Sequence, residues 1–212
     1  MYLPKAHEET RLSVLHELIR SHPLGTWVSL SGAALNVDHI PFVLDADIGE
    51  FGTLSGHVAR ANPVWMEAVS DLPNAIIFRG PQTYISPSWY PSKLDHGKAV
   101  PTWNYAVVTV HGQPEFIEDR DWLYDHLALL TDVHEASQAL PWKISDAPEE
   151  FTSKLLAAIV GVRIPIQRIE GKWKTNQNRA QPDKLGVMAG LLARGDDEAV
   201  AMASLVQRHT SI

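Results

Sequence analysis

Residues 100–117 read VPTWNYAVVTVHGQPEFI, and the period of this stretch decides the fold. Apolar and polar side chains alternate from Trp103 onward, and the run is rich in valine. That is the two-residue period of a half-buried strand, not the 3.6-residue period of a helix. The reading is one long strand from Trp103 to Ile117, with Gly112 marking a bulge or turn within it. Trp103 and Tyr105 fall on one face of that strand and Asn104 on the other, so one set can pack while the other reaches a site.

The segments on either side repeat the mixture of periods. Upstream, Leu12, Leu15, Leu18 and Ile19 recur at spacings of three and four, which predicts a helix over 7–21 that stops before Pro23. Three short strands are expected over 26–31, 36–45 and 52–57, separated by turns containing Gly, Ser and Asp. Asn62-Pro63 followed by VWMEAVS suggests a short helix. NAIIFRG then reads as a buried strand closed by Gly80-Pro81, with Tyr84 to Ser86 as a continuation.

Downstream, residues 121–131 turn helical. Asp146-Ala-Pro-Glu149 resembles a helix cap, with Asp146 accepting from the first-turn amides of a helix over 148–158. VRIPIQRIEGKW alternates again over 161–173, and Pro165 removes one ladder donor, as at an edge or bulge. Two helices, 184–194 and 196–209, complete the chain, broken at Gly195. About six strands grouped in the middle, with helices before, between and after, favour an α+β domain around an antiparallel sheet, and a small closed or split barrel would satisfy its edges. The expected organisation is a single domain over 1–212, with the C-terminal helices from about 182 packed on it.

Composition narrows the chemistry. The 212 residues are 45% hydrophobic and 20% charged and contain no Cys. A disulfide framework, a thiolate nucleophile and a cysteine-held metal or cluster are therefore excluded, and redox chemistry requires a bound cofactor. No run approaches the length of a membrane span, and MYLPKAHEET lacks a secretory apolar run, so a cytoplasmic location is expected. The net charge is -7. Its excess sits between Glu115 and Glu150, where ten carboxylates face only Arg120 and Lys143. Such a chain has no electrostatic footprint for DNA and shows no basic recognition helix.

Four polar segments stand out. LSGHVARANP, residues 54–63, gathers His57, Arg60 and Asn62 before a helix start, where amides and a cationic fork suit a phosphate; plain capping by Asn62 is the alternative. YISPSWYPSK, residues 84–93, is an irregular loop with three aromatic rings, suited to a planar ligand, a subunit contact or inward packing. The third is VPTWNY itself. The fourth, KTNQNR over 174–179 with Lys172 and Lys184 nearby, is rich in donors for an anionic or amide-bearing ligand, or is a solvated loop. Catalytic templates are missing: there is no GxSxG, no P-loop, no GxGxxG, and no pair of the ten His shows a zinc spacing.

Taken together, LSGHVARANPVW, GPQTYISPSWYPSK followed by GKAVPTWNYAVVTVHG, and KTNQNR ahead of DKLGV resemble the PaiB family of FMN-binding negative transcriptional regulators. The opening MYLPKAHE matches as well, and the resemblance spans roughly the first 190 residues. It implies an antiparallel six-stranded FMN-binding split β-barrel with flanking helices, assembled as a homodimer with cofactor sites at the subunit interface. By that resemblance Ser55, His57, Arg60 and Asn62 mark the FMN-phosphate region. Ser86, Trp89 and Lys93 approach from the aromatic loop, from either subunit.

Lys174, Gln177, Asn178 and Arg179 match a pattern that more usually reads Lys-x-Ser-Gln-Asn-Arg, with Asn176 here in place of the Ser. The implied function is that of a PaiB-type regulator. The alternatives are a flavin-dependent oxidoreductase acting on a small molecule, or a non-covalent haem site using His39, His57 or His111. The charge distribution does not support direct DNA binding.

Overall fold

The structure is a computed structural model that describes residues 1–31, 34–67 and 74–208. The chain divides into two compact units. Unit 1 comprises Met1–Leu18, Arg79–Val108 and the chain from Glu170 on; unit 2 comprises Ile19–Phe78 and Thr109–Ile169.

The first elements are β1 (Glu8–Glu9) and α1 (Leu12–Ser21). The helix starts five residues later than its periodicity suggests, because Glu8 and Glu9 pair with Lys172 and Gly171 as a strand. The Glu9 carboxylate then accepts from the Arg11 backbone N–H at 2.9 Å and pairs with its guanidinium. The chain is held extended up to the helix, whose spaced Leu15, Leu18 and Ile19 are buried as expected.

β2 (Leu24–Ser31), β3 (Ala34–Pro41), β4 (Val43–Asp45) and β5 (Thr53–Ala59) follow, then α2 (Val64–Glu67), β6 (Ala75–Ile85) and the short α3 (Ser92–His96). Next come β7 (Thr102–His111), β8 (Glu115–Ile117), α4 (Arg120–Glu135) and α5 (Glu149–Ala157). β9 (Ile159–Pro165), β10 (Arg168–Lys174), α6 (Gln181–Arg194) and α7 (Asp197–Arg208) complete the described chain. The expected helix end at His209 lies outside the described residues, as does the tail of VWMEAVS.

The strands form two antiparallel sheets, one ordered β1-β10-β7-β6-β2-β3 and the other β4-β5-β9-β8. Three stretches that read as single strands each split into a pair, with one strand in either sheet. The stretch 36–45 breaks at Phe42, whose N–H leaves the ladder for Pro23 O at 2.9 Å. The stretch 103–117 breaks at Gly112, where a Cβ would lie 2.3 Å from Pro165 O, so only glycine admits the crossing backbone. The stretch 161–173 breaks after Pro165, where Ile166 and Gln167 donate to Gly52 O and His111 O.

Two further expectations are corrected. β6 runs straight through Gly80-Pro81, where the sequence suggests that a strand closes. Its pairing with β2 ends at Ile77, so Pro81 faces no β2 acceptor. The Asp146 carboxylate does not cap α5: it accepts from Lys143 N at 3.0 Å, and Pro148 occupies the N-cap position with no side-chain bond.

Each unit has its own core. In unit 2, Trp27 is buried with its Nε1 donating to Asn74 Oδ1 at 3.0 Å, and Phe42 meets Phe78 edge to face at 6.0 Å. In unit 1, Ile85 and Tyr90 pack with Val187, Leu191, Met202 and Val206 of α6 and α7. Gly195 ends α6 with φ +75°, a left-handed cap that glycine adopts without steric cost. No helix among the described residues is long and apolar enough to cross a membrane.

Candidate functional site

The sequence candidates fall into two polar neighbourhoods, one in each unit. In unit 2, strand alternation buries Leu54 and Val58 of β5 and leaves Ser55 and His57 half-buried on the other face. His57 Nδ1 lies 3.2 Å from His126 Nε2 on α4, and the His126 ring stacks on Trp122 at 5.2 Å and 10°. Gly161 makes room for this stack, since a Cβ there would lie 2.3 Å from the Trp122 ring.

Burial lowers the pKa of His57. It lowers that of His126 further, to about 4, with the charge of His57 as the second cause. Both rings are therefore neutral near pH 7 and share one proton across the contact. His126 Nδ1 is buried without a hydrogen-bond partner. Nothing local in the sequence joins this pair, whose members lie 69 residues apart.

Arg60 follows β5 directly. Its Nη1 meets Glu118 at 2.5 Å, while Nε and Nη2 donate to Ala157 O and Ile159 O at 2.9 and 3.1 Å. Asn62 Oδ1 accepts from Val64 N at 3.0 Å, which is the capping role, and its Nδ2 donates to Asp38 at 2.7 Å. The turn thus opposes one guanidinium with two carboxylates and carries no surplus positive charge.

In unit 1 the balance is reversed. Lys174 Nζ donates only to neutral oxygens, Thr102 Oγ1 at 2.6 Å and Trp103 O at 2.9 Å. The Arg179 guanidinium lies 4.7 Å from the centre of the Tyr90 ring. Both cations line a cavity of about 130 Å³ together with Asn104, Asn176, Asn178 and His7, and no carboxylate is among its lining residues.

Asn104 and Asn176 are buried, and Asn176 takes φ +63°, which Asn tolerates better than most residues. Asn104 Nδ2 donates to Asn176 Oδ1, and Asn176 Nδ2 donates to Tyr90 Oη at 3.0 Å. Asn104 Oδ1 and Thr175 Oγ1 are left buried without partners. Asn104 was placed correctly on its own strand face by alternation, but nothing in the sequence joined it to Asn176, 72 residues away.

The remaining candidates divide between structural and open roles. Gln177 closes its own loop, accepting from Thr175 N at 2.8 Å, donating to Trp173 O and lying 3.2 Å from His7 Nδ1. Asn178 is exposed at the cavity rim. Ser86 Oγ accepts from Ser88 N and caps the short turn Pro87–Trp89. The Trp89 ring lies against Gly190 of α6, where a Cβ would come within 2.4 Å, so it packs inside its own unit. Lys93 is exposed on α3.

Chemically, an ammonium, a guanidinium, amides and a hydroxyl around a cavity with no carboxylate fit a phosphate and the polar chain that bears it. They do not fit a cation. Asn104, whose Oδ1 is unpartnered, lines the cavity, and a hydroxyl of such a chain would satisfy that oxygen. FMN, with one phosphate and a polyhydroxylated chain, is compatible with that donor set.

Comparison with known proteins bears on the same point. A family model described as "Putative FMN-binding domain" matches residues 1–168. A protein of Emericella nidulans is 33% identical, with 98% of this chain and 96% of its own length aligned. The protease synthase and sporulation protein PAI 2 of Bacillus subtilis is 28% identical over 98% of this chain and 97% of its own. The FAD and heme binding protein of Mycobacterium smegmatis superposes with a TM-score of 0.60 at 18% identity, covering 90% of this chain and 80% of that one. A flavocytochrome of Azotobacter vinelandii does so with a TM-score of 0.57 at 13% identity, over 79% and 69%. These two share the fold, the α+β split barrel expected from the sequence.

Proposed function

The chain belongs to the FMN-binding domain family; from that membership we propose that it is a flavoprotein of the PaiB type, and from the geometry of the cavity that it holds FMN by its phosphate at Lys174 and Arg179 of unit 1. The carrying observation is that two cations, neither with a carboxylate partner among the described residues, line a single cavity that no carboxylate enters. When bound, FMN supplies the one- and two-electron chemistry that a chain without Cys lacks.

The protein's own part is to bind and orient. Lys174, held by Thr102 and the Trp103 carbonyl, would supply an ammonium to the phosphate. Arg179, held over Tyr90, would add the second charge, with Asn178 at the rim as a further donor. Arg60, already neutralised by Glu118, makes the turn of unit 2 a weaker anion site than its sequence suggests. Ser55 and His57 remain available on β5 as polar contacts from a neutral surface.

The family resemblance supports a homodimer, as does the β2–β3 hairpin, where Leu24, Leu35 and Val37 are exposed. A second reading, negative transcriptional regulation, is favoured by the likeness to the Bacillus protein over nearly the whole chain. Titration of the protein with FMN, followed by flavin fluorescence, tests the first reading. Saturable quenching with one flavin per chain is expected, and no quenching would refute it. A salt-dependent, sequence-selective gel shift would support the second.

A further inference from the structure

We propose that Asn104, Asn176 and Tyr90 form a reversible amide relay, and that its reversal makes the unit 1 cavity select a phosphate-class oxyanion over a neutral ligand. The proposal rests on the reading that this cavity takes an oxyanion.

In the structure the relay runs outward from the cavity: Asn104 donates to Asn176, and Asn176 donates to Tyr90 Oη. The end of the relay left over is Asn104 Oδ1, an acceptor, buried and unpaired, on a residue that lines the cavity. A phosphate oxygen is also an acceptor, so this orientation opposes it.

Every link, however, can be inverted without moving a heavy-atom position. Each carboxamide carries a donor and an acceptor of nearly equal size on separate atoms, and a phenol hydroxyl either donates or accepts by rotation. With both amides turned over, Tyr90 O–H donates to Asn176 Oδ1 and Asn176 Nδ2 donates to Asn104 Oδ1. Asn104 Nδ2 is then free to donate into the cavity. Both internal hydrogen bonds survive and the orphaned acceptor becomes a donor at an anion.

The residue at 176 matters here. Asn176 keeps donor and acceptor on distinct atoms and so bridges Asn104 and Tyr90 in both orientations, which a single hydroxyl does not. Arg179 over the Tyr90 ring places a cation beside the far end of the same relay. Lys174 supplies charge to any anion, and Asn104 supplies the directed donor. A neutral ligand gives the relay no reason to turn.

The test uses inorganic phosphate by calorimetry, FMN and riboflavin by fluorescence quenching, and the Raman Fermi doublet of tyrosine, whose intensity ratio distinguishes a donating from an accepting hydroxyl. Phosphate is expected to shift the doublet of the wild type toward the donor state and to leave that of Tyr90→Phe unchanged. Asn104→Leu is expected to weaken phosphate and FMN by about tenfold or more, the scale of a hydrogen bond to a charged group, and riboflavin hardly at all.

Absence of phosphate binding, or phosphate binding with no change in the Tyr90 signal, overturns the relay even if Asn104→Leu fails to fold. Unchanged phosphate and FMN affinity in folded Asn104→Leu overturns it as well, while leaving the FMN reading intact. Phosphate binding with the Raman shift but no FMN binding keeps the relay and removes the FMN reading.

Discussion

The two cationic neighbourhoods contain similar residues and differ in how those residues are spent. Arg60 in unit 2 is closed in on itself by Glu118 and two carbonyls, and Asn62 is a helix cap that also binds Asp38. Lys174 and Arg179 in unit 1 meet, among the described residues, neutral oxygens and a ring face. A count of donors in the sequence ranks the two turns alike. The fold ranks them apart, because charge is available to a ligand only where no carboxylate has already taken it.

The sharpest way to break this contrast is steric. Gly186 lies so near the Trp89 backbone that a Cβ would come within 2.0 Å of its carbonyl oxygen. Gly186→Ala should therefore cost about 3 kcal/mol or more, since backbone cannot swing aside. The corresponding melting temperature should fall by roughly 6–12 °C. Gly161→Ala in unit 2 presses mainly on the Trp122 ring, which can give, and should cost about 1–2 kcal/mol. Equal losses in calorimetry would remove the distinction.

Next in size is the pH response of unit 2. The folded pKa of His126 is lowered from 6.5 to about 4, so the unfolded chain takes up a proton at a higher pH than the folded one. The stability contributed by keeping this ring neutral is full above pH 6.5 and is lost as pH falls toward 4, a change of about 3 kcal/mol. Urea midpoints at about pH 7 and about pH 4.5 should diverge in the wild type and draw together in His126→Phe. An unchanged divergence in the variant would mean that other groups carry the acid sensitivity.

The binding contrast is smaller. Lys174→Ala should weaken FMN by about 2 kcal/mol, a factor of tens. Arg60→Ala should change it by less than about threefold while costing stability of about 1 kcal/mol or less, the usual worth of a largely exposed ion pair. The smallest effect expected is at the β2–β3 hairpin. There Val37→Asp should shift a dimer toward monomer in sedimentation without altering the circular dichroism.

What the sequence disclosed follows the range of the physics behind it. Local periods found β2, β5, α4 and α6 to within a few residues, the end of α1 and the start of α7 likewise, and the Gly195 break was legible because a left-handed cap is a local requirement. Gly112 and Pro165 were legible as places where a strand is interrupted, but the break at Phe42 and the passage of the chain from one sheet to the other at all three were not. Alternation persists across each break, and what ends each strand is a distant backbone, such as Pro165 O against Gly112. Within the site, Asn104 and the KTNQNR turn could each be singled out. Their junction, the His57–His126 contact and the neutralisation of Arg60 by Glu118 could not, since each depends on pairing across 58 or more residues.

The measurement that bears most directly on the central claim is the FMN dissociation constant of Lys174→Ala beside that of the wild type, with circular dichroism confirming the fold. A loss of about tenfold or more in the variant is predicted. FMN bound as tightly by Lys174→Ala as by the wild type would contradict the assignment of the phosphate to unit 1.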